Sequence, residues 1–287
     1  MNAADLRAMQ ALVAELWRLE GPRVETHVGD LAWRRFMHIG RESRWRTRLW
    51  EEGGRPVAYG WLERTATLQY EIHPAQRSGP LHDELLAWFA EVAEGSELRT
   101  SSLSADGERL EVLARHGYAV DPAGRELAYH VRDLADLPIR ELRAGFRLRT
   151  VRPEDLERRV AVHRAAFAPS RVTPESYRNV MHAWPYRPEL DCVVEAPDGS
   201  FAAFCLAWLD EENAVGELEP VATHPDHRRR GLAAAVCSFA LRRLRETGAT
   251  SAVVYTWATE EHAGARRLYE SLGFREHARS LELVKRV

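Results

Sequence analysis

Lysine is all but missing from this chain of 287 residues: Lys285 is the only one among 40 basic residues, set against 43 acidic residues and a formal charge of −3. A net negative chain gains no bulk attraction to nucleic-acid phosphate, and where arginine replaces lysine throughout, an isolated arginine says little about binding. No nucleic-acid partner is expected. Cysteine is scarce as well. Cys192, Cys205 and Cys237 are an odd number without Cys-x-x-Cys or metal-ligand spacing, which fits free buried thiols in a reducing compartment and leaves no metal site to expect. No apolar run reaches the roughly 18 residues of a membrane helix, and Met1-Asn-Ala-Ala-Asp5 lacks the basic and apolar blocks of a signal peptide. The expectation is a cytoplasmic protein without a membrane partner. The 45% hydrophobic content is enough for real cores, and the length suits two ordinary domains.

The densest local signal is His224-Pro-Asp-His-Arg-Arg-Arg-Gly-Leu-Ala233. It follows an extended run, Gly216-Glu-Leu-Glu-Pro-Val-Ala-Thr223, and precedes a helix in which Leu232, Val236, Phe239 and Ala240 recur at helical spacing. Gly231 therefore falls near a helix N-terminus. There the first backbone N–H groups lack intrahelical partners and the helix dipole favours an anion, while glycine lets the backbone come close to it. The pattern has neither the Gly-Lys-Ser/Thr step of a Walker loop nor a Gly-x-Gly-x-x-Gly fingerprint.

The spacing Arg228-x-x-Gly231-x-Ala233 resembles the acyl-CoA signature of the GCN5-related N-acetyltransferase (GNAT) family. Downstream, Ala265-Arg-Arg-Leu-Tyr-Glu-Ser-Leu-Gly-Phe274 is similar to that family's Ala-x-x-Leu-Tyr-x-x-x-Gly-Phe segment. The resemblance implies acetyl-CoA as co-substrate. The amides of Arg229, Arg230, Gly231, Leu232, Ala233 and Ala234 would surround its pyrophosphate, with added charge from the side chains of Arg228 to Arg230. The backbone of Val221, Ala222 and Thr223 would pair with the pantetheine arm. His262 stands where relatives often carry an asparagine that bonds that arm, and it is equally readable as a surface histidine.

The chain also says much the same thing twice. His73-Pro precedes an apolar helix (Leu85, Leu86, Trp88, Phe89) and is followed by Leu110 to Gly117-Tyr118. His224-Pro and Gly273-Phe274 repeat that arrangement at nearly the same interval. A repeat of that length means two similar domains and not a solenoid. We expect a degenerate domain over residues 1–138 and a catalytic one over 145–287, each a mixed, mostly antiparallel α/β sheet flanked by helices as the resemblance implies. In the first copy Gly79 comes two residues after Arg77, Pro80 removes an amide donor, and Leu113 stands at the place of Tyr269. Its acyl-CoA site is expected to be lost.

Acetyl transfer to an amine needs a proton acceptor, a polarised carbonyl and a partner for the leaving thiolate. Strand alternation would place Glu217, Glu219, Val221 and Thr223 on one face. Glu219 is the expected base, with Glu217 nearer the position used by the histone-modifying branch and a candidate substrate contact; either glutamate is also readable as a partner of neighbouring arginines. A tyrosine beside a buried stripe is ordinarily a core residue, and the resemblance gives Tyr269 the further role of protonating the thiolate. Trp184 and Tyr186, in a proline-broken loop, either wall the acceptor cleft or plug the seam between halves. The turn at 210–213 reads as solvated, and Trp257 as core. The resulting expectation is N-acetylation of a small primary amine. A non-catalytic acyl-CoA-binding module, or a protein N-terminal or lysine acetyltransferase, is the alternative. Neither the amine nor the oligomeric state is legible.

Overall fold

The computed structural model describes residues 1–287. The chain opens with helices α1 (Ala3–Glu20) and α2 (Val28–Phe36) and strands β1 (Arg46–Glu52), β2 (Arg55–Arg64) and β3 (Thr67–Ile72). The short α3 (Pro74–Arg77) leads into α4 (Leu81–Val92), β4 (Glu97–Leu103), α5 (Gly107–Arg115), β5 (Ala119–Val120) and β6 (Leu127–Asp133). After β7 (Arg147–Thr150) the order recurs: α6 (Leu156–Ala166), α7 (Pro174–Met181), then β8 (Asp191–Glu195), β9 (Phe201–Asp210) and β10 (Val215–Thr223). It closes with α8 (Leu232–Glu246), β11 (Ser251–Trp257), α9 (Ala263–Ser271) and β12 (Arg275–Arg286).

Each half thus runs two helices, an antiparallel three-strand meander, a helix, a strand parallel to the last, a helix and a closing strand. Local chemistry explains the pieces. Asn2 and Asp5 form a capping box at the start of α1, whose Leu6, Met9, Val13, Leu16 and Trp17 bury one stripe. Strand β9 is buried along its whole length because α8 covers one face while α2 and α6 cover the other, so it reads as a nearly continuous apolar run.

The expected mixed, mostly antiparallel α/β architecture is present, with one difference. The halves do not form separate sheets. They share a 12-stranded sheet ordered β1-β2-β3-β4-β12-β6-β11-β10-β9-β8-β7, with β5 beside β12. The closing strands are exchanged. Strand β6, from the first half, lies between β11 and β12, while the far end of β12 pairs with β4 from Ser280↔Leu103 to Arg286↔Glu97. A core cluster also crosses the seam, joining Leu12, Val13 and Leu16 of α1 to Trp61, Val215 and Val253. Burying each of those α1 side chains is worth about 1.5–3 kcal/mol. No helix is long and apolar enough to cross a membrane.

Helix α2 crosses β9 at Gly29, where a Cβ would run into the ring and Cβ of fully buried Trp208. Gly29→Ala is expected to cost roughly 1–3 kcal/mol by overpacking, a fall of several degrees in thermal midpoint. Gly107→Ala, with open space around the added methyl, is expected to hold or slightly raise the midpoint. Calorimetric melting of the two variants measures the contrast.

Candidate active site

Strands β10 and β11 pair in parallel only from Val215↔Ser251 to Glu217↔Val253. Beyond that point they part, and β11 stays bonded to β6 out to Trp257↔Leu127. The inner edge of β10 is left open from Glu219 to Thr223. On its other side β10 carries a bulge against β9, between Leu218↔Ala207 and Val221↔Cys205. One extra residue resets the alternation. Glu217 and Val221 therefore do not share a face: Val221 joins Leu218 in the core cluster that includes Val236 and Ala240 of α8, whereas Glu217 turns the other way, toward His27.

The turn after β10 brings Gly231 to the start of α8 with φ 76° and ψ 3°, a left-handed conformation that suits glycine, and nothing lies within 4 Å of where its Cβ would be. Arg229 is also at positive φ, 60°. No side chain caps α8, and its first backbone bond runs from Ala235 N–H to Gly231 O. The amides of Leu232, Ala233 and Ala234 are thus without intrahelical partners. Arg228, Arg229, Arg230 and Gly231 are exposed, and Val221, Ala222 and Thr223 are half-buried at the mouth of the gap. Open main chain, a free helix start and three adjacent guanidinium groups fit a pyrophosphate.

The corresponding turn in the first half offers no open amides, although the diverging β3 and β4 border a cavity of about 490 Å³. Gly79 N–H is spent on Gln76 O, and Pro80 occupies the cap of α4. Between the diverging β3 and β4, Arg77 makes a bidentate pair with Glu20 at 2.7 Å for both bonds and also donates to Ile72 O. Arg109 lies over the Tyr70 ring, donates to Tyr70 O and stands 3.4 Å from Glu25 and 3.6 Å from Glu71.

Tyr269 is carried by α9, which ends at Gly273 with φ 86°, while Phe274 N–H donates to Tyr269 O. The phenol is 6% exposed, its ring 6.4 Å from His130 of β6 and 5.9 Å from Phe274. Burial pushes its pKa well above the ordinary value, with Cys237, Glu219 and Cys205 adding to the shift. Glu219 is half-buried at the bulge, and its carbonyl accepts a 2.7 Å bond from Trp208 Nε1–H. Burial first, then the neighbouring Glu217 and Asp30, push its carboxyl up to about 8, with Arg34 opposing. Each of Tyr269 and Glu219 lies within the other's electrostatic reach, so the two expected acid–base groups share one region.

The remaining candidates are dispersed. Trp184 is 44% exposed with the Arg7 guanidinium 3.5 Å from its ring centre, and its carbonyl accepts from Gln10, so it sits on the seam with α1. Tyr186 turns inward and donates to Asp191, which also accepts from Tyr177 and buried Arg159. His262 Nδ1 faces Thr259 Oγ1 at 2.8 Å. Asp210 is not a solvated rim residue: it is buried and organises its turn by accepting from the amides of Glu212 and Asn213. Trp257 is not core. With Tyr129, Arg34, Tyr70 and Glu282 it lines that cavity, whose walls come mostly from the first half and include neither Glu219 nor Tyr269, and Arg125 stacks on it at 4.6 Å. Sequence reasoning passed over His27, Asp30, Arg34, Tyr129 and His130, because each reaches the second half from elements of the first and nothing local marks it.

Residues 158–274 match the family described as Acetyltransferase (GNAT). A Streptomyces coelicolor protein named mycothiol acetyltransferase is 28% identical over 96% of this chain and 89% of its own length. A protein of the same name from Nocardiopsis dassonvillei is 26% identical over 78% of this chain and 76% of its own. Among solved structures, a tandem GNAT protein from the clavulanic acid biosynthesis pathway superposes with a TM-score of 0.70 at 18% identity, covering 100% of this chain and 97% of that one. A GCN5-related N-acetyltransferase from Sphaerobacter thermophilus gives 0.66 at 21%, covering 100% and 94%. At such identities the two structures speak for the fold.

A carboxyl raised from 4.5 to about 8 by folding holds its proton in the native state where the unfolded chain has lost it. Its presence therefore costs stability as pH rises through that interval. Glu219→Gln is expected to melt with wild type near pH 4, to gain on it progressively up to about 8, and to keep a constant advantage above. Thermal midpoints of both proteins across that range test this; parallel curves would mean an unperturbed carboxyl.

Proposed function

We propose that this chain, which belongs to the acetyltransferase (GNAT) family, transfers an acetyl group from acetyl-CoA to the primary amine of a small molecule, directly and within a ternary complex. The observation that carries this reading is the meeting of three features at one gap in the sheet. These are an uncapped helix start beside exposed arginines, an open strand edge, and a carboxyl and phenol within each other's field. We assign the chemistry to residues 145–287. Residues 1–138 supply a wall and no second acyl-CoA site, a division supported by Arg77 being paired with Glu20 and by Pro80 standing at the cap of α4.

When bound, acetyl-CoA supplies a thioester carbonyl open to attack by an amine. The amides of 229–234 would hold its pyrophosphate, the open edge at Val221, Ala222 and Thr223 its pantetheine arm, and His262 the same arm through the ring nitrogen not facing Thr259. Glu219 accepts the proton of the incoming amine; its raised carboxyl makes it a stronger base than an exposed glutamate once ionised. Tyr269 remains protonated at neutral pH and donates to the departing thiolate. With α1 and α2 lying across the seam, a small molecule fits better than a polypeptide. The name shared by the two relatives makes mycothiol acetyltransfer the first reaction to test.

Calorimetry is expected to find one acetyl-CoA site per chain. Gly231→Pro should abolish it, since proline cannot adopt φ 76° and removes an amide, while Gly79→Ala should leave affinity intact. Two sites, or loss of binding through Gly79, would return a cofactor role to the first half. Tyr269→Phe should lower single-turnover rates roughly tenfold or more with acetyl-CoA affinity within about threefold, as expected for general-acid help. A purified protein that binds acetyl-CoA yet releases no thiol with any amine of a broad panel would instead be a binding module.

A further inference from the structure

His27 caps α2 from the first half and is completely buried against β10 of the second. Its ring atoms have partners that fix where its proton lies. Nε2 is 3.3 Å from Val215 O, an acceptor only, so Nε2 carries hydrogen. Nδ1 accepts from Gly29 N–H at 3.1 Å, so Nδ1 carries none. The same Nδ1 lies 3.2 Å from Glu217 Oε2, and Glu217 is 1% exposed with no donor on either oxygen. A carboxylate oxygen facing a nitrogen lone pair is repulsive, whereas a carboxylic acid O–H facing it is a hydrogen bond.

We propose that Glu217 is held as an un-ionised acid whose O–H shares the single lone pair of His27 Nδ1 with Gly29 N–H, and that His27 thereby acts as a positioning residue reserving the base role for Glu219. The surrounding charges agree. Facing Glu217 are His27, Asp30 and Arg34 from the α2 segment, Tyr255 from β11, and Glu219 on its own strand. The sole cation there, Arg34, is already bonded to Asp30 at 2.8 Å. Two ionised glutamates would lie side by side in the interior without a counter-ion. Burial, the largest influence, pushes the Glu217 carboxyl up, with Asp30 adding to the rise and His27 and Arg34 opposing it. With Glu217 neutral, the repulsion that contributes to the rise at Glu219 falls away, and Glu219 ionises at lower pH than it would beside a charged neighbour. The first half thus tunes the reaction without touching either substrate.

The kinetic consequence rests on Glu219 being the base, but the protonation state does not, and the test separates them. Infrared difference spectra of the full-length protein alone, wild type minus Glu217→Gln at neutral pH, are expected to show the carbonyl stretch of a carboxylic acid. A carboxylate signal in its place overturns the proposal whatever the enzyme acetylates. In His27→Leu that acid band should move to the frequency of an unbonded acid, and in His27→Asn, whose side-chain oxygen can accept from both Gly29 and Glu217, it should stay bonded. Kinetically, the acid limb of kcat/KM should move up by about half a pH unit or more in His27→Leu as Glu217 becomes free to ionise. It should return to the wild-type position in the double variant His27→Leu/Glu217→Gln, where no charge can develop. No shift in the single variant, or a shift that persists in the double, overturns the role of His27. An intact acid band with no turnover of any amine would overturn only the acetyltransfer reading.

Discussion

The exchange of closing strands is the constraint on which the rest depends. Parting β10 from β11 leaves backbone donors and acceptors of both strands without each other, a penalty few sheets accept in their interior. Here β11 is bonded along all of its length to β6, and β10 stays bonded to β9 on either side of its bulge. Each strand therefore keeps one complete ladder, and the gap can persist as an open edge. Because β6 comes from the first half, the second half cannot hold its gap open alone. The same exchange lays His130 beside Tyr269, and α2, packed across the seam, lays His27 against Glu217.

What was legible in the sequence was local. The helix after Gly231, the buried stripe beside Tyr269 and the repeated order of elements all follow from spacing and turn residues a few positions apart. The mixed, mostly antiparallel sheet flanked by helices is as expected. The fusion of two sheets into one was not legible, since a closing strand of either half presents the same apolar alternation to either neighbour. The bulge had a signal that strand alternation alone discards: Pro220 cannot donate to a ladder, and a proline inside a strand marks a bulge or an edge. Taking it into account would have separated Glu217 from Val221. His27 had no signal at all, since a histidine before a short helix says nothing about a strand nearly two hundred residues later.

The halves share one topology and differ in what fills the gap between their parallel strands. In the second half the turn spends few side chains on itself: Arg228 makes one long bond to Ala166 O and Arg230 a 3.4 Å contact with His227. In the first half the arginine of the matching turn is consumed by Glu20, and Arg109 of α5 stands at the wall of the cavity with Glu25 and Glu71 as partners. These pairs are partly or wholly buried, so breaking them would strand charges in the interior.

Packing between the halves matters because the charges near the second gap are few. Asp30, Glu217 and Glu219 have one cation among them, Arg34; Asp30 and Arg34 come from α2 of the first half and the two glutamates from β10 of the second. A shift of α2 over β9 would move His27, Asp30 and Arg34 together, and through Trp208, which α2 abuts at Gly29, it would also disturb the carbonyl of Glu219. The electrostatics of the gap are therefore set by packing between the halves and not by the strand that carries the glutamates. Local motifs are read from residues a few positions apart; the protonation pattern that makes one glutamate differ from its neighbour is a property of the assembled pair.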